Sequence, residues 1–216
     1  MTPVPLERIA RLRILPVIVI DSADHAVPLA RALADGGLAA VEVTFRTAAA
    51  RDAIRRIVGE CPDVLVGAGT VLSPEQIDAA RDAGATFLVA PGLNPNVVRC
   101  AQDAGLPIYP GIATPSEIEQ AMELGLDVVK FFPAEPMGGI TFLKAIAAPY
   151  LSMRFMPTGG ITAENIAPYL AFDRVVACGG SWMAPADRIR AGDFAWIRSE
   201  ADKAARLVPA RDGAKR

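Results

Sequence analysis

Three side chains in this sequence have the types and settings that carbonyl chemistry requires. Lys130 stands in Val128-Val-Lys-Phe-Phe132, with apolar neighbours on both sides. If that run is a buried strand, the ammonium is stripped of water, and burial favours the neutral amine. A neutral lysine amine attacks carbonyl carbon and opens the route to a Schiff base. In Val41-Glu-Val-Thr-Phe-Arg46, the residues Glu42, Thr44 and Arg46 share one parity. Strand side chains alternate, so these three point one way while Val41, Val43 and Phe45 pack under helices. A carboxylate there can move protons, and an arginine fork can hold a substrate carboxylate by two bonds. Amine, base and carboxylate clamp together describe a keto-acid site. Structural readings compete with it: Lys130 as an interior partner of Glu42 or a rim lysine, and Glu42 with Arg46 as a buried ion pair.

Glycine pairs form the next signal, in Thr158-Gly-Gly160 and Gly179-Gly-Ser181. Such loops bring backbone N–H groups close to an anion, and Ser181 adds a hydroxyl donor, so the pairs suit a phosphate. Two tight turns are the plainer alternative. Gly67-x-Gly69 lacks the third glycine of a dinucleotide fingerprint, and no Walker sequence occurs. Cys178 reads as a small packed residue, since no histidine is at hand to activate it.

The elements that must carry these residues are marked by their ends. Glycines in Ala34-Asp-Gly-Gly-Leu38, Arg81-Asp-Ala-Gly-Ala85, Gln102-Asp-Ala-Gly-Leu106 and Met122-Glu-Leu-Gly-Leu126 each close an amphipathic stretch. A short apolar run follows each one. Ser73-Pro-Glu-Gln76 and Thr114-Pro-Ser-Glu117 read as capping boxes with proline in the first helical turn. Eight strands are expected near residues 14–20, 39–44, 64–68, 86–90, 106–110, 127–132, 153–157 and 173–178. Strands alternating with helices imply parallel strands and right-handed crossovers. Eight units in 216 residues leave about 27 each, which fits one small (β/α)8 barrel, with an open doubly wound sheet as runner-up. The whole chain, 1–216, reads as one domain. A helix within residues 1–13, around Pro5 to Leu12, would cap the barrel's bottom, and a tail over 209–216 would fray.

Composition narrows the classes. With 52% hydrophobic and 21% charged residues the chain is not a disordered one. The net charge is −2, from 22 basic and 24 acidic residues without a basic stripe, so nucleic acid is not an expected partner. Glycines and prolines break the uncharged run from Ala83 to Val98, so no membrane span is expected. Arg8, Arg11 and Arg13 before Ile14–Ile20 mimic a secretory signal, but the apolar run is short and lacks a clear cleavage site. Three scattered cysteines suggest no disulfide framework, which points to a reducing compartment, the cytoplasm. One histidine, His25, cannot build a His-rich zinc site and reads as a solvated surface residue; no metal is expected, with an all-carboxylate magnesium site as the open alternative.

These residues resemble a family. Glu42-Val-Thr-Phe-Arg46, Gly67-Ala-Gly-Thr-Val-Leu72, Val89-Ala-Pro-Gly92, Pro110-Gly-Ile-Ala-Thr-Pro115, Lys130-Phe-Phe-Pro-Ala-Glu135 and Pro157-Thr-Gly-Gly160 closely resemble the 2-keto-3-deoxy-6-phosphogluconate aldolases. The resemblance runs from about residue 14 to residue 200. It implies a homotrimer of (β/α)8 barrels, without a cofactor, splitting a phosphorylated keto-deoxy sugar acid into pyruvate and glyceraldehyde 3-phosphate. The family also acts on 4-hydroxy-2-oxoglutarate. By motif, Lys130 would form the Schiff base and Glu42 would move protons. Arg46 and Thr70 would hold the keto-acid carboxylate, with Pro91 and Phe132 lining the pocket. Thr158 would touch the substrate, and Gly159, Gly160, Gly180 and Ser181 would hold its phosphate region. Two readings stay open beside it: a metal-assisted phosphosugar isomerase or epimerase, and a phosphosugar-binding barrel without turnover.

Overall fold

The computed structural model describes residues 4–209; the tail expected to fray lies outside them from residue 210 onward. A first helix, α1 (Val4–Leu12), leads into units of alternating strand and helix. The first are β1 (Ile14–Ile18), α2 (Ala26–Asp35), β2 (Ala40–Thr44), α3 (Ala50–Glu60), β3 (Leu65–Gly69) and α4 (Pro74–Asp82). Then come β4 (Phe87–Val89), α5 (Pro95–Asp103), β5 (Ile108–Tyr109), β6 (Gly111–Ile112) and α6 (Pro115–Glu123). The last third holds β7 (Val128–Phe131), α7 (Gly139–Ala147), β8 (Arg154–Pro157), α8 (Ala167–Leu170), β9 (Cys178–Gly180), α9 (Ala186–Arg190) and α10 (Phe194–Arg206).

All strand pairings are parallel, as the alternation requires. They form two curled sheets, ordered β5-β4-β3-β2-β1-β9 and β6-β7-β8. The strand expected over 106–110 is split at Pro110, which has no N–H to give a ladder. The strand expected over 173–178 pairs later, as Cys178–Gly180 against β1. Ahead of it Val175 touches the other sheet through one bridge to Phe155, and Gly179 does so through Thr158.

Period-2 alternation sorts the strand side chains into two cores. Val41, Val43, Val66, Ala68, Leu88, Val129, Phe131 and Phe155 pack under the helices in the larger cluster. Their neighbours of opposite parity, Ala40, Leu65, Phe87, Val89, Tyr109, Val128 and Met156, form a second cluster on the concave face with Leu6 and Ile9 of α1. The concave face is therefore apolar toward the strands' N-terminal ends. Two residues further along the same parity come Glu42 and Lys130.

Helix ends follow the sequence signals closely. Gly37, Gly84, Gly105 and Gly125 all take positive φ after α2, α4, α5 and α6. Thr114 completes a reciprocal capping box with Glu117. Ser73 does not: its side chain accepts no backbone N–H, and Gln76 reaches past it to the Leu72 N–H at 2.6 Å. His25 is half-buried, with its ring edge-on to Phe194 at 5.8 Å, not free on the surface.

Candidate active site

Glu42 and Lys130 come together from opposite sheets on the polar side of the second core. Glu42 Oε1 lies 3.8 Å from Lys130 Nζ, and both side chains are almost wholly buried, at 2% and 8% exposure. That separation makes an ion pair but exceeds a direct hydrogen bond. Oε1 has no hydrogen-bond partner among the described residues, an uncommon state for a buried carboxylate oxygen. Burial pushes the Glu42 carboxyl above the ordinary carboxylate range, and the Lys130 charge opposes that rise. Gly69 makes the space: a Cβ there would stand 2.1 Å from Oε1. Lys130 is fixed through its backbone, which donates to the Pro110 carbonyl at 2.8 Å, and Nζ lies 4.9 Å from the Phe132 ring centre. The shared parity of Lys130 and Phe132 thus becomes a contact.

Phe132, against which Lys130 Nζ lies, also borders a cavity of about 370 Å³, whose lining includes neither Glu42 nor Lys130. Of the residues singled out from the sequence, Arg46, Phe132, Thr158 and Gly159 line it. So do Gly160, Gly180 and Ser181, which brings both glycine loops to one wall. Thr158 fits because Gly179 opposite it has no side chain; a Cβ there would stand 2.3 Å from the threonine hydroxyl. The Cys178 thiol beside it is buried, and desolvation pushes it up to about 12, which suits packing and not attack.

Arg46 differs from its expected place. β2 ends at Thr44, and a turn closed by the Arg46 N–H on the Thr44 carbonyl carries Arg46 out to an exposed position. No ion pair forms with Glu42, and no described residue accepts from its guanidinium. Thr44 stays buried on the expected side and donates to the Ile18 carbonyl. Thr70 and Pro91 do not line the cavity but stand beside the buried pair. Thr70 follows Gly69, whose missing side chain houses the Glu42 carboxylate, and the Pro91 carbonyl packs against Gly111, the register partner of Lys130. Thr70 has φ +57°, a left-handed conformation that costs a β-branched residue strain and that concentrates at functional sites.

The known KDPG and KHG aldolases match residues 6–199. The chain belongs to this family. A 2-dehydro-3-deoxy-phosphogluconate aldolase of Treponema pallidum is 52% identical over 94% of this chain and 96% of its own. Among solved structures, KDPG aldolase of Legionella pneumophila, with pyruvate captured as a covalent carbinolamine, superposes with a TM-score of 0.89 at 38% identity. That match covers 93% of this chain and 97% of the other. The 2-keto-3-deoxy-6-phosphogluconate aldolase of Zymomonas mobilis with 3-phosphoglycerate gives 0.89 at 40% identity, over 95% and 97%.

Some cavity residues of this aldolase-family chain escaped sequence reasoning. Val17 and Val19 line the wall from β1 and the turn after it, and Ile161, Ala184, Pro185 and Ala186 complete it. Leu15, Val17 and Val19 share a parity, and Leu15 belongs to the concave-face core, so parity was a usable signal. The run Ile14–Ile20 holds no polar residue to show which parity faces the site. No helix among the described residues is long and apolar enough to cross a membrane.

Proposed function

We propose that the chain cleaves 2-keto-3-deoxy-6-phosphogluconate to pyruvate and glyceraldehyde 3-phosphate through a Schiff base on Lys130. One observation carries this: a buried lysine amine lies 3.8 Å from a buried carboxylate oxygen that has no hydrogen-bond partner among the described residues, and the lysine touches Phe132 in the wall of a cavity with two glycine loops. The neutral amine attacks the C2 carbonyl, and loss of water from the carbinolamine leaves an iminium that can take up an electron pair. Glu42 accepts the C4 hydroxyl proton as the C3–C4 bond breaks, and the bonding pair moves into the iminium to give an enamine. The aldehyde departs. Glu42 returns a proton to C3, water adds to the new iminium, and pyruvate leaves with the amine restored.

Arg46, whose guanidinium has no partner among the described residues and lines the cavity, and Thr70 hold the keto-acid carboxylate in this reading. Pro91 and Phe132 wall the pocket, Thr158 contacts the substrate, and Gly159, Gly160, Gly180 and Ser181 receive the phosphate. The same chemistry serves 4-hydroxy-2-oxoglutarate, with glyoxylate as the aldehyde. No cofactor or metal enters any step.

We also propose that the two sheets belong to one eight-stranded barrel. The bridges from Phe155 to Val175 and from Thr158 to Gly179 support one closure, and the single residue between β5 and β6 supports the other. Leu6 and Ile9 in the concave-face cluster support α1 as its cap and residues 1–216 as one domain. The homotrimer and the cytoplasmic location rest on the family resemblance and on the free thiols Cys61, Cys100 and Cys178.

Pyruvate with borohydride tests the central claim. Reduction of the iminium leaves a stable secondary amine, so mass spectrometry of the Lys130 peptide should show a pyruvate-derived adduct, with activity lost irreversibly. Label on another lysine, or none while turnover persists, would remove the Schiff base from Lys130.

A further inference from the structure

Behind the Gly159–Gly160 turn stand three side chains that the cleavage chemistry does not use. Tyr169 on α8 is buried, and its hydroxyl donates to Glu135 Oε1. Asn165 Nδ2 donates to the Gly160 carbonyl at 2.9 Å, while its Oδ1 accepts from the Thr162 N–H at 2.8 Å. The Glu135 backbone N–H donates to the Gly159 carbonyl at 3.0 Å. The fit behind the turn is tight: a Cβ on Gly160 would stand 2.7 Å from Glu135 Cβ. A Cβ on Gly139 would stand 3.1 Å from Glu135 Oε1 and 3.3 Å from the Tyr169 hydroxyl.

These bonds fix the direction of two peptide planes. In a trans peptide the N–H points opposite to the carbonyl. Drawing the Gly159 carbonyl back to Glu135 turns the Gly160 N–H the other way, and drawing the Gly160 carbonyl back to Asn165 does the same for Ile161. Gly160 and Ile161 both line the cavity, whereas Glu135, Asn165 and Tyr169 do not. No described residue accepts from either N–H. Two adjacent backbone donors at the cavity wall, without acceptors among the described residues, suit an anion.

We infer that Glu135, Tyr169 and Asn165 are positioning residues that hold the Gly159–Gly160 turn with its N–H groups aimed at the substrate's phosphoryl end. They set the grip on that end and leave the chemistry at Lys130 untouched. The inference rests on the aldolase reading above, because it assigns these donors to that substrate's phosphate.

Tyr169→Phe removes one hydroxyl and keeps the ring; Glu135→Ala removes the acceptor at an exposed side chain; Glu135→Gln keeps an acceptor oxygen. The first two should raise KM for the phosphorylated keto acid about fivefold, the factor expected for one hydrogen bond of ordinary net strength. Exchange of pyruvate methyl hydrogens, which involves no phosphate, should stay within about twofold of the parent. Condensation of pyruvate with glyceraldehyde 3-phosphate should weaken relative to unphosphorylated glyceraldehyde, and Glu135→Gln should restore both readouts. Unchanged KM, or an equal loss on phosphorylated and unphosphorylated acceptors, would overturn the positioning role while the parent still exchanges and traps pyruvate. A parent that neither exchanges nor traps pyruvate would overturn the aldolase reading and this inference with it.

Discussion

Glu42 is held in an environment that makes a proton hard to lose and easy to pass on. Burial raises its pKa above the ordinary value of 4.5, and Lys130 at 3.8 Å keeps the charged form accessible. Two consequences of opposite sign follow. For stability, a raised carboxyl contributes fully below the unfolded value, and that contribution is lost as pH rises through the folded value. For activity, Glu42 as the proposed base must be ionised, so methyl-hydrogen exchange should fall as pH drops through the folded value, with its acid limb above pH 4.5. An acid limb at or below 4.5 would mean that another group titrates. Glu42→Gln keeps the shape and removes the base, so exchange and cleavage should both fall by about 10²–10⁴-fold. Borohydride trapping of pyruvate on Lys130 should survive in this variant. Exchange at the parental rate would return Glu42 to the structural role that an ion pair with Lys130 also allows.

At the scale of elements, capping chemistry separates two helices that read alike in sequence. On α6, Thr114 accepts from the Glu117 N–H, and Glu117 Oε2 takes the N–H groups of Ala113 and Thr114. On α4, Ser73 caps nothing; its hydroxyl serves the Glu75 carboxylate instead and holds that group below the usual range. Thr114→Ala should therefore cost about 1 kcal/mol, and Ser73→Ala less than about half of that. Urea midpoints at constant slope measure both, and a larger loss at Ser73 would contradict this assignment. The comparison explains what was legible. Alternation, glycine stops and strand parity follow from local covalent and steric rules, so Lys130 beside Phe132 and two glycine loops at one wall were readable from spacing. Where strands end is decided by the neighbours they find. Parity alone placed Arg46 beside Glu42, but β2 stops at Thr44 and the turn carries Arg46 to the rim. Tyr169 and Asn165 were invisible for a similar reason: their partners lie on a loop that only the packed chain brings near.

At the scale of the molecule, the weak seam lies where residues 173–178 run past β8 with isolated bridges in place of a ladder. Arg13 spans it. Its sequence setting suggested a basic flank to an apolar run, yet the side chain is buried and donates to the carbonyls of Leu170, Val175 and Val176. Its own backbone ties the same region together: the Arg13 carbonyl accepts from Cys178 at 2.8 Å, and its N–H donates to Ile9 of α1 at 2.9 Å. It does this at φ +63°, a conformation that non-glycine residues adopt only when their surroundings impose it. One residue thus joins the end of α1, the start of β1 and the approach to β9. Arg13→Met keeps the apolar stem and removes every side-chain donor, leaving buried carbonyls without partners. Charged-donor hydrogen bonds contribute about 1.5–3 kcal/mol each, and they share one side chain, so a total near 3 kcal/mol is expected. For a chain of this size that corresponds to a Tm lower by about 6–12 °C. Arg13 lies before β1, whereas Val17 and Val19 at the strand's other end line the cavity, so KM should stay near the parental value in the protein that remains folded. Hydrogen exchange should quicken first at the Phe155 and Val176 N–H groups, which bond across this seam, and at the Cys178 N–H, which bonds to the Arg13 carbonyl. An unchanged Tm with unchanged exchange there would mean that the bridges and the helices around them hold this seam without Arg13.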